Sequence, residues 1–283
     1  LVGSEMCIRD RCWLRRQRLE VQELALVLAD LFAGSRADAE GRLETLSIND
    51  LEKRVSSAKP ALDAIGALAP SSQIKIIAEI KRASPSKGVL AEISNPEELA
   101  VTYEEGGASA ISVLTEQRKF KGSLEDLASV RKAVSLPLLR KDFISTKHQI
   151  LEARAYGADI ILLIVAGLRE DELISLGEFA KDLGMTPFYE THSREELKIA
   201  AGLGARLIGV NARDLVTFET DRDLFSRLYD QIPSDAIKVA ESAVRDASDV
   251  NRYRDAGADV VLVGEALVTS DPAETLRSFF AGG

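Results

Sequence analysis

Charged residues recur in this 283-residue chain at the places where short apolar runs stop. Ile77-Ala78-Glu79-Ile80-Lys81 sets a carboxylate and an ammonium two residues apart, and in an extended strand that spacing puts both on one side. Leu138-Leu139-Arg140-Lys141-Asp142, Phe188-Tyr189-Glu190 and Gly209-Val210-Asn211-Ala212-Arg213 end in the same way. A lysine can donate a proton or stabilise developing negative charge, and a glutamate can take a proton away. Lys81, Lys141, Glu79 and Glu190, with Asn211, therefore form a candidate acid–base set. The structural alternative is that these charges form ion pairs closing the end of a sheet, or are solvated residues that begin loops, because ion-pair networks also perturb ionisation without catalysing anything. Four such charges at the ends of three runs favour a use, since buried charge is costly unless paired.

A second group suits anion binding. Ala240-Glu241-Ser242-Ala243 and Val263-Gly264-Glu265-Ala266 each turn sharply toward a helix, where backbone N–H groups can meet a phosphate. Gly264 permits close backbone approach, although a lone glycine is also what any tight turn uses. Ser84-Pro85-Ser86-Lys87-Gly88 offers hydroxyls and a cation in a constrained loop, fitting either an anionic ligand or an ordinary solvated turn. Other chemistries are missing: there is no glycine-rich dinucleotide fingerprint, no P-loop and no Gly-x-Ser-x-Gly elbow. Cys7 and Cys12 lie in the first dozen residues, which leaves the rest of the chain without thiol chemistry, and His148 and His192 are too few for a histidine metal site. No metal is expected.

The elements that must position these residues are legible from hydrophobic period. From about Ile74 onward, eight apolar runs alternate with helical patterns: Ile74 to Ile80, Ala110 to Leu114, Pro137 to Leu139, Asp159 to Val165, Thr186 to Tyr189, Leu207 to Val210, Ile237 to Ala240 and Val260 to Val263. Alternation of this kind implies βαβ units, and runs apolar on both faces imply strands buried between a filled interior and covering helices. Gly-Ala pairs precede alternate strands at Gly107-Ala108, Gly157-Ala158, Gly204-Ala205 and Gly257-Ala258, a period of about fifty residues that marks a repeated two-strand, two-helix unit. Four units give eight strands and favour a closed (β/α)8 TIM barrel, whose active site belongs at the carboxyl ends of the strands. Asn95-Pro96, Ser123, and Ser193 with Glu196 read as helix starts. Before the barrel, Val21 to Phe32 and Ile48 to Ile65 have helical spacing and could cover the barrel's mouth or floor.

The expected organisation is one domain: an unstructured or artefactual extension over residues 1–20, a helical extension over 21–70, and a barrel over 71–283. With 46% hydrophobic residues, a chain of this length can bury one large core. A formal charge of −9 and a pI near 5.0 argue against nucleic acid or an anionic membrane as partner. Ile160 to Leu168, the longest apolar run, is too short to span a bilayer, and the N-terminus lacks a secretory pattern. A soluble cytoplasmic monomer acting on a small molecule is the expectation.

Five strings, IAEIKRASPSKG from Ile77, AISVLT from Ala110, PLLRKDF from Pro137, GVNARDL from Gly209 and LVGEAL from Leu262, resemble indole-3-glycerol phosphate synthases in the same order. The resemblance runs from about Leu46 to the C-terminus, and the first and third strings are specific to that family among phosphate-binding barrels. It implies a cofactor-free lyase of tryptophan biosynthesis that converts 1-(2-carboxyphenylamino)-1-deoxyribulose 5-phosphate into indole-3-glycerol phosphate, carbon dioxide and water. By the same resemblance, Lys141 is the acid for ring closure, Glu190 the base, and Lys81 an acid for dehydration. Glu79 orients lysines or substrate, Asn211 hydrogen-bonds the intermediate, and Ser242 joins the catalytic group. Arg213 and Lys81 are carboxylate ligands, while Ser84, Ser86, Ala243, Leu262, Gly264 and Glu265 line the substrate and phosphate site. Two features depart from the family pattern. Ala243 stands where glycine is usual, and Pro187-Phe188-Tyr189 replaces an aliphatic strand before Glu190. Ala243 leaves room for the alternative of a barrel that binds a phosphorylated metabolite without turning it over. Phosphoribosylanthranilate isomerase and the tryptophan synthase α subunit, the related enzymes, are not expected to carry both the Glu-x-Lys and the Arg-Lys-Asp strings.

Overall fold

The computed structural model of the protein describes residues 27–215 and 217–281, so the extension read over 1–20 lies outside the described residues. Eight parallel strands close into a barrel: β1 (Lys75–Ile80), β2 (Ala110–Leu114), β3 (Leu138–Lys141), β4 (Ile160–Ile164), β5 (Thr186–Thr191), β6 (Leu207–Asn211), β7 (Ile237–Glu241) and β8 (Val260–Val263). They pair in sequence order, and β8 returns to β1 through registers such as Ile77 with Leu262. All eight expected runs are strands.

Side-chain alternation divides the core in two. Ile76, Ala78 and Ile80 of β1, with their counterparts around the barrel, face the helices. Ile77, Leu139, Leu162, Phe188, Val239 and Leu262 fill the interior. The Gly-Ala pairs act as helix stops: Gly107, Gly157, Gly204 and Gly257 have φ of 93°, 97°, 65° and 96°. The alanine N–H then reaches back to a helix carbonyl, as Ala108 does to Tyr103 at 3.0 Å and Ala258 to Tyr253 at 2.9 Å. Gly184 before β5 does the same at φ 76°, with Met185 in the alanine place.

The helical preface differs from its expected form. The part of the Val21 to Phe32 segment that is described belongs to a longer helix, α1, over 27–42. The expected helix from Ile48 to Ile65 is two helices, α2 (Ile48–Ser57) and α3 (Ala64–Leu68), because Pro60 cannot donate a helical hydrogen bond and drives its predecessor toward extended backbone. Asp63 restarts the helix by accepting from Gly66 N–H at 2.9 Å. The two ends of the barrel are covered by different pieces. Ala64 and Leu68 join the interior cluster at the floor, where Leu62 N–H donates to Asp159 Oδ1, just before β4, at 2.8 Å. Phe32 of α1 packs edge-on against Phe143, just after β3, with ring centroids 5.6 Å apart.

A buried polar network ties α1 to the end of β3. Ser35 Oγ donates to Asp142 Oδ1 at 2.7 Å, and Arg42 forks onto Glu152 with contacts of 2.7 and 2.8 Å. Arg140, with no exposed surface, links the two carboxylates at 2.9 Å to Asp142 and 3.2 Å to Glu152. Arg140 and Asp142 flank Lys141, so this network fixes the backbone that presents the lysine.

Candidate active site

The apolar layers of the barrel give way to polar ones at the carboxyl ends of the strands. The last inward residues are Glu79 on β1, Lys141 on β3, Glu190 on β5, Asn211 on β6 and Glu241 on β7. They line a cavity of about 530 Å³ that opens at the mouth. Lys81, Ser242, Ser84, Ser86, Arg213, Ala243, Leu262, Gly264 and Glu265 line the same cavity, so the structure brings every residue read from the sequence as a site candidate into one place.

Lys141 Nζ stands 2.8 Å from Glu190 Oε2 and 3.3 Å from Glu241 Oε2. Burial opposes its charge, but Glu190, Glu241 and Glu79 outweigh burial and hold the ammonium above the usual lysine range. Glu190 is 1% exposed at its side chain. Burial pushes its carboxyl up, yet the Lys141 charge and His192 outweigh that and hold it below the usual carboxylate range. Asn211 Nδ2 donates to Glu190 Oε1 at 3.0 Å, and Ser242 Oγ donates to Asn211 Oδ1 at 2.8 Å, which fixes the amide's orientation. Across the mouth, Lys81 Nζ and Glu79 Oε1 pair at 2.9 Å, and Ser112 Oγ donates to Glu79 Oε2 at 3.3 Å.

Glycines make room for the carboxylates. A Cβ on Gly264 would stand 2.5 Å from Glu79 Oε1, so this glycine clears space for Glu79 as well as shaping the turn after β8. A Cβ on Gly209 would overlap Glu241 Oε1 and come within 2.7 Å of the Phe188 ring. Phe188 points inward beside Glu190, whereas Tyr189 joins the outer core, so the unusual Pro-Phe-Tyr string still packs by simple alternation.

Ser242 and Ala243 after β7 both have left-handed backbone, with φ of 68° and 62°. Arg222 holds this turn from outside, donating to Ala243 O at 3.0 Å and pairing with Asp249. Glu265 pairs with Lys87 of the loop after β1, linking the neighbouring loops that follow β8 and β1. Arg213 donates to Phe218 O at 3.3 Å and to Ser86 Oγ at 3.5 Å. One stretch of the wall is apolar and includes Leu114, Phe120, Phe143, Leu162 and Ile164.

Sequence reasoning does not mark Glu241 or His192, which bear directly on the Lys141–Glu190 pair. Glu241 was read only as part of the β7 turn. Strand alternation from Val239 turns it inward, but the adjacent turn at Ser242-Ala243 masks that signal. It is 1% exposed, and neither oxygen has a hydrogen-bond partner among the described residues. Burial, and then repulsion from Glu190, push its carboxyl up to about 8 against the pull of Lys141. His192 lies beside Glu190, and no spacing signal marked it. Among the described residues, no cluster of three or more His, Cys, Asp or Glu side chains could hold a metal ion.

A closed (β/α)8 barrel with lysine–glutamate pairs lining a cavity at the carboxyl ends of its strands has the architecture of a barrel enzyme. Solved structures similar in fold include 3-hexulose-6-phosphate synthase from Salmonella typhimurium, with TM-score 0.58 and 14% identity over 73% of this chain and 96% of that one. One chain from a structure of the tryptophan synthase a2b2 complex of Pyrococcus furiosus is similar at TM-score 0.57 and 16% identity, over 72% of this chain and 97% of that one. Sequence comparison is narrower. The indole-3-glycerol phosphate synthase family model matches residues 28–279. An indole-3-glycerol phosphate synthase of Leifsonia xyli subsp. xyli is 58% identical over 89% of this chain and 97% of its own length, and one from an Arthrobacter species is 52% identical over 91% and 96%. The chain belongs to the indole-3-glycerol phosphate synthase family.

Proposed function

We propose that this protein converts 1-(2-carboxyphenylamino)-1-deoxyribulose 5-phosphate into indole-3-glycerol phosphate, carbon dioxide and water, with no cofactor and with Lys141 and Glu190 at the centre of the chemistry. The observation that carries the assignment of roles is the buried 2.8 Å Lys141–Glu190 pair at the barrel mouth, flanked by the Glu79–Lys81 pair. In ring closure an aromatic carbon attacks the carbonyl carbon, and its oxygen becomes an alkoxide. The Lys141 ammonium, kept charged by its carboxylate neighbours, donates the proton that quenches it. Carbon dioxide then leaves and the ring regains aromaticity. Dehydration needs a proton delivered to the departing hydroxyl and another removed from carbon. Lys81 suits the first task and Glu190 the second, with Asn211 and Ser242 holding Glu190 and the intermediate in register.

The rest of the cavity matches the parts of the substrate. Phe120, Phe143, Leu162 and Ile164 offer an apolar face to the aryl ring. Arg213, which lines the cavity and reaches Phe218 O and Ser86 Oγ at 3.3 and 3.5 Å, suits a fork onto the substrate carboxylate with Lys81 in the same cavity. Glu79 orients Lys81 and the substrate hydroxyls. The phosphate fits the turns at Ser242-Ala243 and Gly264-Glu265, next to Leu262 and supplemented by Ser84 and Ser86. No described helix is long and apolar enough to cross a membrane. We propose a cytoplasmic monomer. Incubating the protein with this substrate tests the reaction: indole fluorescence and carbon dioxide should appear in equal amounts, and carbon dioxide without indole would refute the coupled sequence.

A further inference from the structure

We infer that His192 is a positioning residue for Glu190, a cation held behind the base by Glu196 so that the carboxylate stays fixed and ionised while it faces the substrate. The inference rests on the reading of Glu190 as the base.

His192 does not line the cavity. Its Nε2 stands 3.4 Å from Glu190 Oε1 and its Nδ1 stands 3.3 Å from Glu196 Oε2, so the ring bridges two carboxylates. The Nε2 contact is an ion-pair contact outside hydrogen-bond geometry, and Nε2 is buried without a hydrogen-bond partner among the described residues. The side chain is 12% exposed, which leaves little water to satisfy it.

Glu196 is placed by the start of the following helix, Arg194–Gly202. Ser193 Oγ accepts from Glu196 N–H at 3.2 Å, one half of a capping box. The reciprocal half of the box is displaced by one residue: Glu196 Oε2 accepts from the N–H of His192, at 2.8 Å, where a regular box would use that of Ser193. The displacement brings the carboxylate to the imidazole. A helix cap is thereby joined to the base of the active site through one ring.

Burial works against charge on His192, but Glu190 and Glu196 outweigh it and raise the imidazole to about 10. The other titratable groups within its influence are Glu241 on β7, whose proton His192 helps to release, and Lys141 on β3, which shares Glu190. Glu190 is thus gripped on both oxygens. Oε1 meets Asn211 and His192, while Oε2 meets Lys141 on the cavity side. When Lys141 gives its proton to the substrate, the cation that remains beside Glu190 is His192. It keeps the carboxylate deprotonated and ready for the later proton removal.

The test is the pH profile of kcat and of KM for wild type, His192→Ala and His192→Gln, with melting temperatures confirming that each variant is folded. Loss of the cation should let Glu190 protonate more easily, so in both variants the acid limb of kcat should move up by about one pH unit. His192→Ala should also lose about ten-fold in plateau kcat with KM nearly unchanged, while the neutral donor in His192→Gln should restore the plateau to within about three-fold. Acid limbs that coincide with wild type in both folded variants would overturn the inference. So would a rise in KM at unchanged kcat. Glu190→Gln separates the two levels: wild-type turnover in that variant would remove the base assignment and the inference with it, whereas an inactive Glu190→Gln beside unmoved limbs removes the role of His192 alone.

Discussion

Replacing Ala243 by glycine should make the protein more stable while leaving the chemistry intact. Ala243 has φ of 62° and follows Ser242 at 68°, so two residues with Cβ atoms occupy the left-handed region in succession. Left-handed backbone costs a residue with a Cβ about 1–2 kcal/mol, and glycine escapes that cost. Against this, glycine gives the unfolded chain extra freedom worth about 0.4–1 kcal/mol. The difference favours the folded variant by about 1 kcal/mol, which corresponds to a melting temperature about 2–4 °C higher for a domain of this size. The turn should keep its shape, because Arg222 grips the Ala243 carbonyl and does not depend on the side chain. A phosphate seated on this turn should then bind as well as before or better, so KM should stay level or fall. Thermal melts and steady-state kinetics of Ala243→Gly measure both quantities, and Ala243→Val supplies the opposite perturbation, since a β-branched residue is poorly tolerated at positive φ. A Gly variant that melts below wild type, or a Val variant that melts level with it, would refute the strain argument.

Other perturbations probe separate parts of the site. Gly209→Ala should displace Glu241 and Phe188, costing about 1–3 kcal/mol of stability by overpacking and reducing kcat more than a core change of that size elsewhere. Arg140→Met should cost about 3–5 kcal/mol, visible in denaturant melts, because it strands Asp142 and Glu152 as buried carboxylates with one fewer cation. Glu241, whose carboxyl rises from 4.5 to about 8 on folding, makes stability depend on pH. The folded state keeps a proton that the unfolded chain releases, so stability is fully present below 4.5 and is lost as pH rises through about 8. Glu241→Gln should flatten that decline in melts across this window, and an unchanged slope would show that Glu241 does not hold the proton.

The barrel was legible because its signals are local and repeated. Each strand is an apolar run, and the Gly-Ala helix stops recur at the same place in four successive units. The fifth stop, Gly184-Met185, hid because only the glycine is required by geometry. Pro60 was in plain view, yet the apolar spacing on both sides of it read as one helix until backbone chemistry broke it in two. The mouth residues Glu79, Lys81, Lys141, Glu190 and Asn211 stood out as charges and amides at strand ends, which the alternation of a strand turns inward. Glu241 obeys the same rule but sits against a turn that suggested a different use. His192 was beyond reach of the sequence, because its place depends on Glu196 capping toward residue 192, a detail of loop geometry with no periodic trace. The packing of α1 on the end of β3 and on the helix that follows it, through Ser35 and Arg42, joins residues more than a hundred positions apart, and no local pattern encodes it.

In the proposed reaction Lys141 and Glu190 carry the acid–base work of indole formation. Their roles are tested most directly by following indole fluorescence from 1-(2-carboxyphenylamino)-1-deoxyribulose 5-phosphate with wild type, Lys141→Ala and Glu190→Gln, each verified as folded by circular dichroism. Wild type should form indole-3-glycerol phosphate, and each variant should be slower by about 10²–10⁴-fold. No indole from the folded wild type, or wild-type rates from both variants, would overturn these assignments.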